Sequence, residues 1–499
     1  MSAIGRWLDK RLDLASIRET LLDRKMPAGL TWWHTLGSAT LAVFVVQITT
    51  GIVLAMYYSP SPDHAYDSIR FLERTVASGS LLRGIHHWGA SAMVILVVAH
   101  MIRVFTMGSY KYPREANWIL GVALLCLVMA FGFTGYLLPW DQKAYWATQV
   151  GTNIAGTAPV IGGTLVTLLR GGSQLGAATL ARFFALHVLL LPTLLGGIVM
   201  LHLVIVVRQG IAAPPKVLEQ DAPARTDDPQ YAEFYDAKYA QSKASGVRFW
   251  PDIIAKDIIV ATGVILLLVI LGRFFGAGLD APADPTDAAY VPRPEWYFLP
   301  FFQLLKFVPG SMESFVAIGV PTLLVLVLLL LPFFDRRSIR SLVHRPIALM
   351  SLGGVTVACA LLFGASMSEA PRTGIPPEIG HPLTSTERAG RTLFDQQQCG
   401  SCHAIAGRKA PEKKGDVPDA PELTDVGLKH TAGWMHSYIE DPMRFHPDSK
   451  MPAFGPPTLS HQEIEELAQY LATLRGPHWA TVQPEFRDTF PEPVKSKEK

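Results

Sequence analysis

The sequence predicts an all-α protein, a bundle of seven transmembrane helices followed by a small soluble helical domain. Of 499 residues, 49% are hydrophobic and only 17% charged, with a mean hydropathy of +0.25, which is too apolar for a soluble enzyme. Apolar runs of spanning length lie near residues 33–57, 88–107, 117–138, 183–206, 254–273, 314–334 and 347–366. Beyond residue 383, two capping boxes open helices of a different, amphipathic kind. The net charge of +2 says little about partners, and no pattern points to nucleic acid.

Taken in order, residues 1–29 are polar and amphipathic, with Trp7, Leu8, Leu12, Leu14, Ile17, Leu21 and Leu22 as the apolar side. This predicts a helix lying on the membrane surface rather than a cleaved signal, so the first true span acts as the insertion signal. Basic residues favour the cytoplasmic side of short loops. With the N-terminus inside, the inner segments hold Arg6, Lys10, Arg11, Arg18, Arg24 and Lys25, then Arg103, Lys111 and Arg114, then Arg208 and Lys216, then Arg336, Arg337, Arg340 and Arg345. The outer loops are sparser, with Arg70, Arg74, Arg83, Lys143, Arg170 and Arg293. An odd number of spans then puts everything after residue 366 outside.

Four histidines stand on two of the spans. His86 and His100 are 14 residues apart, His187 and His202 are 15 apart. At about 1.5 Å and 100° per residue, each pair covers about 21 Å of helix while turning only about 40° to 60° from the starting face. Two such helices facing each other can clamp two metals, one toward each side of a bilayer. A single histidine in an apolar span can simply hydrogen-bond a neighbouring helix. Four at matched intervals, in a medium where ionisable groups are costly, point to bis-histidine heme ligation. Zinc is disfavoured because tight zinc sites use ligands a few residues apart, and neither His87 nor His34 fits the pattern. Gly37 and Gly51, like Gly121 and Gly135, repeat the 14-residue interval. A missing side chain permits the close backbone approach that a porphyrin needs, so these glycines are expected to line the heme planes, although small residues also serve helix packing in membranes.

Cys126 and Cys359 sit inside spans and read as small buried thiols. Cys399-Gly400-Ser401-Cys402-His403 is instead a c-type heme attachment motif, with Cys399 and Cys402 as thioether donors and His403 as an axial ligand. A disulfide or thioredoxin-like pair is the alternative. Such heme is attached outside the cytoplasm, in agreement with the topology. Met451, in Ser449-Lys450-Met451-Pro452, is the expected sixth ligand, with Met435 and Met443 as the other candidates. Thr384-Ser385-Thr386-Glu387 opens a helix carrying Gly390 and Phe394, and Ser460-His461-Gln462-Glu463 opens one carrying Ile464, Leu467 and Tyr470. The two helices are expected to cross at Gly390. Residues 367–383, with four prolines, form a semi-rigid tether, and 476–499 an extended tail. The expected divisions are 1–29, 30–210, 211–250, 251–366, 367–383, 384–475 and 476–499.

Over roughly residues 30–365 the chain resembles the cytochrome b subunit of quinol:cytochrome c oxidoreductases, the cytochrome bc complexes. The resemblance rests on Arg83-Gly84-Ile85-His86-His87-Trp88, Gly135-Tyr136-Leu137-Leu138-Pro139-Trp140-Asp141-Gln142, Arg182-Phe183-Phe184-Ala185-Leu186-His187 and Pro294-Glu295-Trp296-Tyr297. Seven spans and the 15-residue interval resemble the chloroplast and cyanobacterial branch, where the protein is split in two. Here the halves are continuous and a cytochrome c domain is appended.

The resemblance implies a four-helix di-heme domain followed by three helices. It implies His86 with His187 on an outer b heme, His100 with His202 on an inner one, and Arg83 as a further cofactor contact. It also implies a quinol-oxidising pocket formed by the Pro294–Tyr297 turn and the region after Pro139-Trp140, with Glu295 taking a proton and Tyr136 and Tyr297 hydrogen-bonding there. One electron then goes to a separate Rieske iron–sulfur protein and on to cytochrome c, the other across the b hemes. The cluster must lie in another chain, because only Cys126 and Cys359 are unassigned here and both lie within spans. A dimeric complex in the bacterial inner membrane, surrounded by lipid and passing electrons to a cytochrome c or a terminal oxidase, is the implied setting. One departure is Thr35, where that branch attaches an extra inner heme through a cysteine; the inner quinone pocket is then simpler, with Arg208 as a polar neighbour. A membrane electron relay without quinol oxidation is the competing reading; a heme-based sensor would want a larger cytoplasmic output domain.

Overall fold

The computed structural model describes residues 3–13, 16, 18–19, 22–280, 282–283, 285, 293–368, 384–403, 405, 420–424, 426–447 and 449–474. The chain divides into a unit of Met1–Asp280 with Arg293–Phe363 and a second of Ala281–Pro292 with Gly364–Lys499. Most of the expected tether, and the expected tail, lie outside the described residues.

Among the described residues, seven helices are long and apolar enough to cross a membrane: Trp32–Tyr57, Gly79–Thr106, Glu115–Tyr136, Ala177–Gln209, Phe249–Phe274, Met312–Phe334 and Pro346–Ser368. They are called spans 1 to 7 below. Each coincides with a run predicted from the sequence, although the runs 88–107 and 117–138 extend one and two residues past the ends of their helices. Their interior is small, with Val43, Met93, Val94, Val97, Val128, Leu195 and Leu268 forming a core that joins spans 1 to 5. Lipid offers no hydrophobic drive between helices, so close packing and hydrogen bonds must bring them together. At Gly84 and Gly272 spans 2 and 5 touch backbone to backbone: a Cβ at Gly84 would lie 2.7 Å from the Gly272 carbonyl oxygen. Trp88 Nε1 adds a hydrogen bond to the Gly276 carbonyl at 2.8 Å.

At the lower face, where span 2 ends and span 3 begins, basic side chains work as clamps. Lys111, 1% exposed, donates to Asp335 at 2.8 Å and to the carbonyls of Arg337 and Ile339 at 2.8 and 2.7 Å. Arg345 caps span 2 through the Phe105 carbonyl at 2.6 Å. Arg340, fully buried, bonds the carbonyls of Gly108 and Tyr112 at 2.7 and 2.8 Å. Burial alone would raise the Asp335 carboxyl, but Lys111, Tyr110 and Arg345 outweigh it and hold it below the usual range. These are residues whose charge predicted topology; here they also tie span 6 to the hairpin of spans 2 and 3.

Two expectations change. The surface helix covers Ala3–Leu12, while Lys25–Met26 instead pairs antiparallel with Val247–Arg248, because both segments run extended at the lower face. Cys126 and Cys359 are exposed rather than buried: in lipid the outer side of a span is as apolar as its inner side, so an apolar run does not reveal which way a thiol faces. The polar segment between spans 4 and 5 is itself folded, with helices Pro215–Glu219 and Tyr231–Ala244 burying Tyr231 and Tyr235.

The second unit is a small helical domain. Helices Ser385–Gln396 and His461–Ala472 both begin with the expected capping boxes. They cross at Gly390, where a Cβ would lie 2.0 Å from the Glu466 carbonyl oxygen. Leu393, Phe394, Ile439, Ile464, Leu467 and Tyr470 make the core.

Removing one partner of a buried ion pair strands the other charge. Asp335→Asn is expected to cost about 3 kcal/mol, read as a lower Tm of the detergent-solubilised chain, whereas the same change at exposed Asp227 leaves it within about 0.5 kcal/mol.

Candidate functional site

Spans 2 and 4 bring His86 and His187 together at the upper face, with ring centroids 6.4 Å apart and planes at 73°. A metal bound at about 2.0 Å from an imidazole nitrogen lies about 3.2 Å from the ring centre, so two ligands on opposite sides of one ion are about 6.4 Å apart. The free nitrogen of each ring follows from its other contact. Thr50 Oγ1 donates to the Val46 carbonyl at 2.8 Å and Thr134 Oγ1 to the Ala130 carbonyl at 2.9 Å. Each hydroxyl therefore has only lone pairs left, and accepts from His86 Nδ1 at 2.8 Å and from His187 Nδ1 at 3.0 Å. With the proton on Nδ1, Nε2 is the nitrogen left to bind a metal.

The glycines fit this arrangement one to one. A Cβ at Gly51 would lie 3.3 Å from His86 Cε1, and one at Gly135 only 2.5 Å from His187 Cε1. Toward the lower face, a Cβ at Gly37 would meet His100 Cε1 at 3.1 Å and one at Gly121 would meet His202 Cε1 at 4.0 Å. His100 Nδ1 is buried with no hydrogen-bond partner among the described residues. The imidazole donors and the backbone cradle both fit heme.

Span 4 has one more residue between its histidines than span 2, and on a straight α-helix that residue would rotate one ring by about 100°. The helix absorbs it as a single π-type turn at Leu186–Leu190, in which the Leu191 N–H reaches back five residues to the Leu186 carbonyl. Both histidines thus face the glycines of span 3.

Beside spans 2 and 3, where Trp296 reaches Ser91 and Tyr297 reaches Gly132, the Pro294–Tyr297 turn leads into the helix Leu299–Lys306. Glu295 pairs with Lys143 at 2.8 Å, at the start of the helix Gln142–Gly156 whose N-cap is Asp141. The Tyr297 ring rests on span 3, where a Cβ at Gly132 would lie 2.9 Å from its Oη, and burial raises its hydroxyl so that the phenol stays neutral. Tyr136 donates to the Arg293 carbonyl at 3.1 Å. Between the helices Gln142–Gly156 and Leu299–Lys306 is a cavity of about 310 Å³ lined by the apolar Val150, Ile154, Phe302 and Leu305 and by the charged Lys306 and Glu313. Arg83 ties to Glu73 and to the carbonyls of Ala277 and Gly278, and Arg208 is exposed. Sequence reasoning missed Thr50, Thr134, Gly132 and Lys143. The repeated dipeptides Thr50-Gly51 and Thr134-Gly135 were a legible signal for the first two.

In the second unit, His403 Nδ1 donates to the Pro421 carbonyl at 2.8 Å, leaving Nε2 available as an axial ligand. Cys399 packs against the core and burial pushes its thiol up to about 11, opposite to the depressed thiol that a thioredoxin-like pair needs. Met451 also packs against this core, whereas Met435 is buried within it and Met443 is exposed. This donor set fits a c-type heme.

If the π-type turn sets the register, deleting exposed Leu189 converts the interval of span 4 to that of span 2 and leaves extractable heme unchanged. Deleting exposed Ile95 from span 2 lowers it by half or more. Heme extraction from the purified variants checks both.

The family profile described as Cytochrome b/b6/petB matches residues 21–210, Cytochrome b(C-terminal)/b6/petD matches 282–381 and Cytochrome c matches 387–475. Cytochrome b of Allochromatium vinosum is 36% identical over 354 residues, covering 68% of this chain and 82% of the relative. The menaquinol:cytochrome c reductase cytochrome b subunit of Geobacillus thermodenitrificans is 44% identical over 216 residues, covering 42% of this chain and 96% of that one. Cytochrome b/c1 of Bradyrhizobium diazoefficiens is 33% identical, with 76% and 52% covered. A solved hyperthermophilic respiratory Complex III aligns with TM-score 0.63 at 28% identity, covering 73% of this chain and 91% of that chain. The chain belongs to the cytochrome b/b6 family, as a multi-pass membrane subunit of a cytochrome bc-type complex with a cytochrome c domain fused at its C-terminus.

Proposed function

We propose that this subunit oxidises quinol at its upper face and divides the two electrons, one leaving to a separate Rieske-type iron–sulfur subunit and one crossing the membrane. The upper face is then the outer face of a bacterial inner membrane, with the N-terminus cytoplasmic and the cytochrome c domain outside. The observation that carries this reading is the combination of two stacked, glycine-backed histidine sets with a carboxylate-bearing turn that leads into a helix lining a cavity. His86 with His187 and His100 with His202 hold two b hemes, and Cys399, Cys402, His403 and Met451 hold a covalent heme c. Heme, when bound, supplies one-electron transfer at each position.

The chain's own residues manage the protons. The cavity between the helices Gln142–Gly156 and Leu299–Lys306 takes the quinol ring. Quinol oxidation releases two protons with its two electrons: Glu295, held by Lys143, exchanges that partner for one of them and delivers it toward water, and the other leaves the second hydroxyl with the electron passed to the Rieske-type subunit. Tyr297, whose phenol stays neutral, and Tyr136 serve as hydrogen-bonding neighbours. The cytochrome c domain accepts the electron from the Rieske subunit and passes it to a cytochrome c or a terminal oxidase, within a dimeric complex. A plain electron relay has no use for the Glu295–Lys143 pair.

In the assembled complex, Glu295→Gln is expected to lower quinol:cytochrome c reductase turnover about 100-fold while the b-type absorption stays unchanged. Unchanged turnover in this variant removes Glu295 from the proton path, whereas an assembled wild-type complex with no reductase activity supports the relay instead.

A further inference from the structure

The second unit carries a cluster used by neither core packing nor the heme motif. His436 and Glu440 lie on the helix Ala432–Glu440, four residues apart and so on one face. His461 is the first residue of the helix His461–Ala472. One donor atom from each of the three lies within 4.8 Å of the others. His461 Nδ1 is 3.6 Å from Glu440 Oε1, close to the edge of about 3.3 Å expected between ligands of a tetrahedral ion bound at about 2.0 Å. The two imidazoles stack nearly parallel, 6.0 Å between centroids and 8° between planes. Glu465 supports the first ring: its Oε2 is 3.2 Å from His436 Nδ1, and its Oε1 accepts from Gln469 Nε2 at 3.1 Å. Metal-bound histidines commonly have such a carboxylate behind them, which fixes the ring.

We propose that His436, Glu440 and His461 form a binding site for a divalent transition cation of the zinc class, with water completing the shell. Two imidazoles and one carboxylate suit zinc and its neighbours and not magnesium or calcium, which prefer oxygen alone. All three side chains are solvent-accessible, so an ion can enter without opening the fold. The position gives the site a consequence. Glu440 and His461 flank the segment 441–460, which carries Met451, and an ion joining them closes that segment into a loop. Ion binding therefore restrains the chain around Met451 and stabilises the domain by removing loop freedom from its unfolded state.

The test uses the full-length, heme-loaded chain, stripped with a chelator and titrated with zinc chloride under equilibrium dialysis. The wild type binds one zinc more than His461→Ala or His436→Ala, and Glu465→Gln weakens that zinc by about tenfold or more. His461 is 68% exposed, so its variant keeps the fold, which an unchanged heme c absorption verifies. Zinc also raises the Tm of the wild type and not that of His461→Ala. Equal zinc content and affinity in the wild type and both histidine variants overturns the proposal, as does a wild type that takes up no zinc.

Discussion

Two imidazole rings 6.4 Å apart across an interhelical gap set the constraint on which the rest of the membrane unit depends. Ionisable groups inside a membrane are costly and usually paired, and in the proposed reading a heme would be the partner of both rings. Meeting that requirement twice, at two depths, fixes the register of four helices. The histidines must repeat along spans 2 and 4, and the backbones of spans 1 and 3 come close to three of the four rings, most tightly at Gly135, where a Cβ would lie 2.5 Å from His187 Cε1. The hydroxyls of Thr50 and Thr134 then decide which nitrogen each ring offers. Each of these requirements acts on a different residue, yet all are met on the same faces.

The surroundings show how a bundle with a small apolar core holds that register. Spans 2 and 5 touch at paired glycines, and the lower face is closed by buried basic side chains that donate to carbonyls at the ends of helices. Lys111, Arg340 and Arg345 therefore bind the three-helix half to the four-helix half in a region where helix ends leave carbonyls unpaired. The upper face is built differently. Its turn is held by hydrogen bonds from Tyr136 to the Arg293 carbonyl and from Trp296 to Ser91, and by the ion pair between Glu295 and Lys143, 38% exposed on the lysine side. Rigidity below and a partly exposed ion pair above are what the proposed quinol-oxidising role asks for, electron positions kept fixed while protons move.

Much of this was legible in the chain itself, for reasons that differ by element. The spans were readable because lipid demands long apolar helices, and the histidine and glycine intervals because helical periodicity converts spacing into facing. The capping boxes at Thr384 and Ser460 were readable because they act over three residues. The π-type turn at Leu186–Leu190 was not: the 15-residue interval signalled that something must absorb a residue, but only packing against span 3 decides where. Nor was the outward orientation of Cys126 and Cys359, since polarity does not distinguish lipid from protein neighbours. The Glu295–Lys143 pair joins residues 152 positions apart, beyond any local pattern. Arg340 and Arg345 were read as topological charges and proved to be buried clamps as well, a second role that composition cannot express.

The measurement that bears most directly on the paired histidines is pyridine hemochrome analysis of the purified chain before and after acid-acetone extraction. Two b-type hemes extracted per chain, with one c-type heme retained on the polypeptide, is the result this account predicts. Fewer than two extractable hemes per fully loaded chain would contradict it.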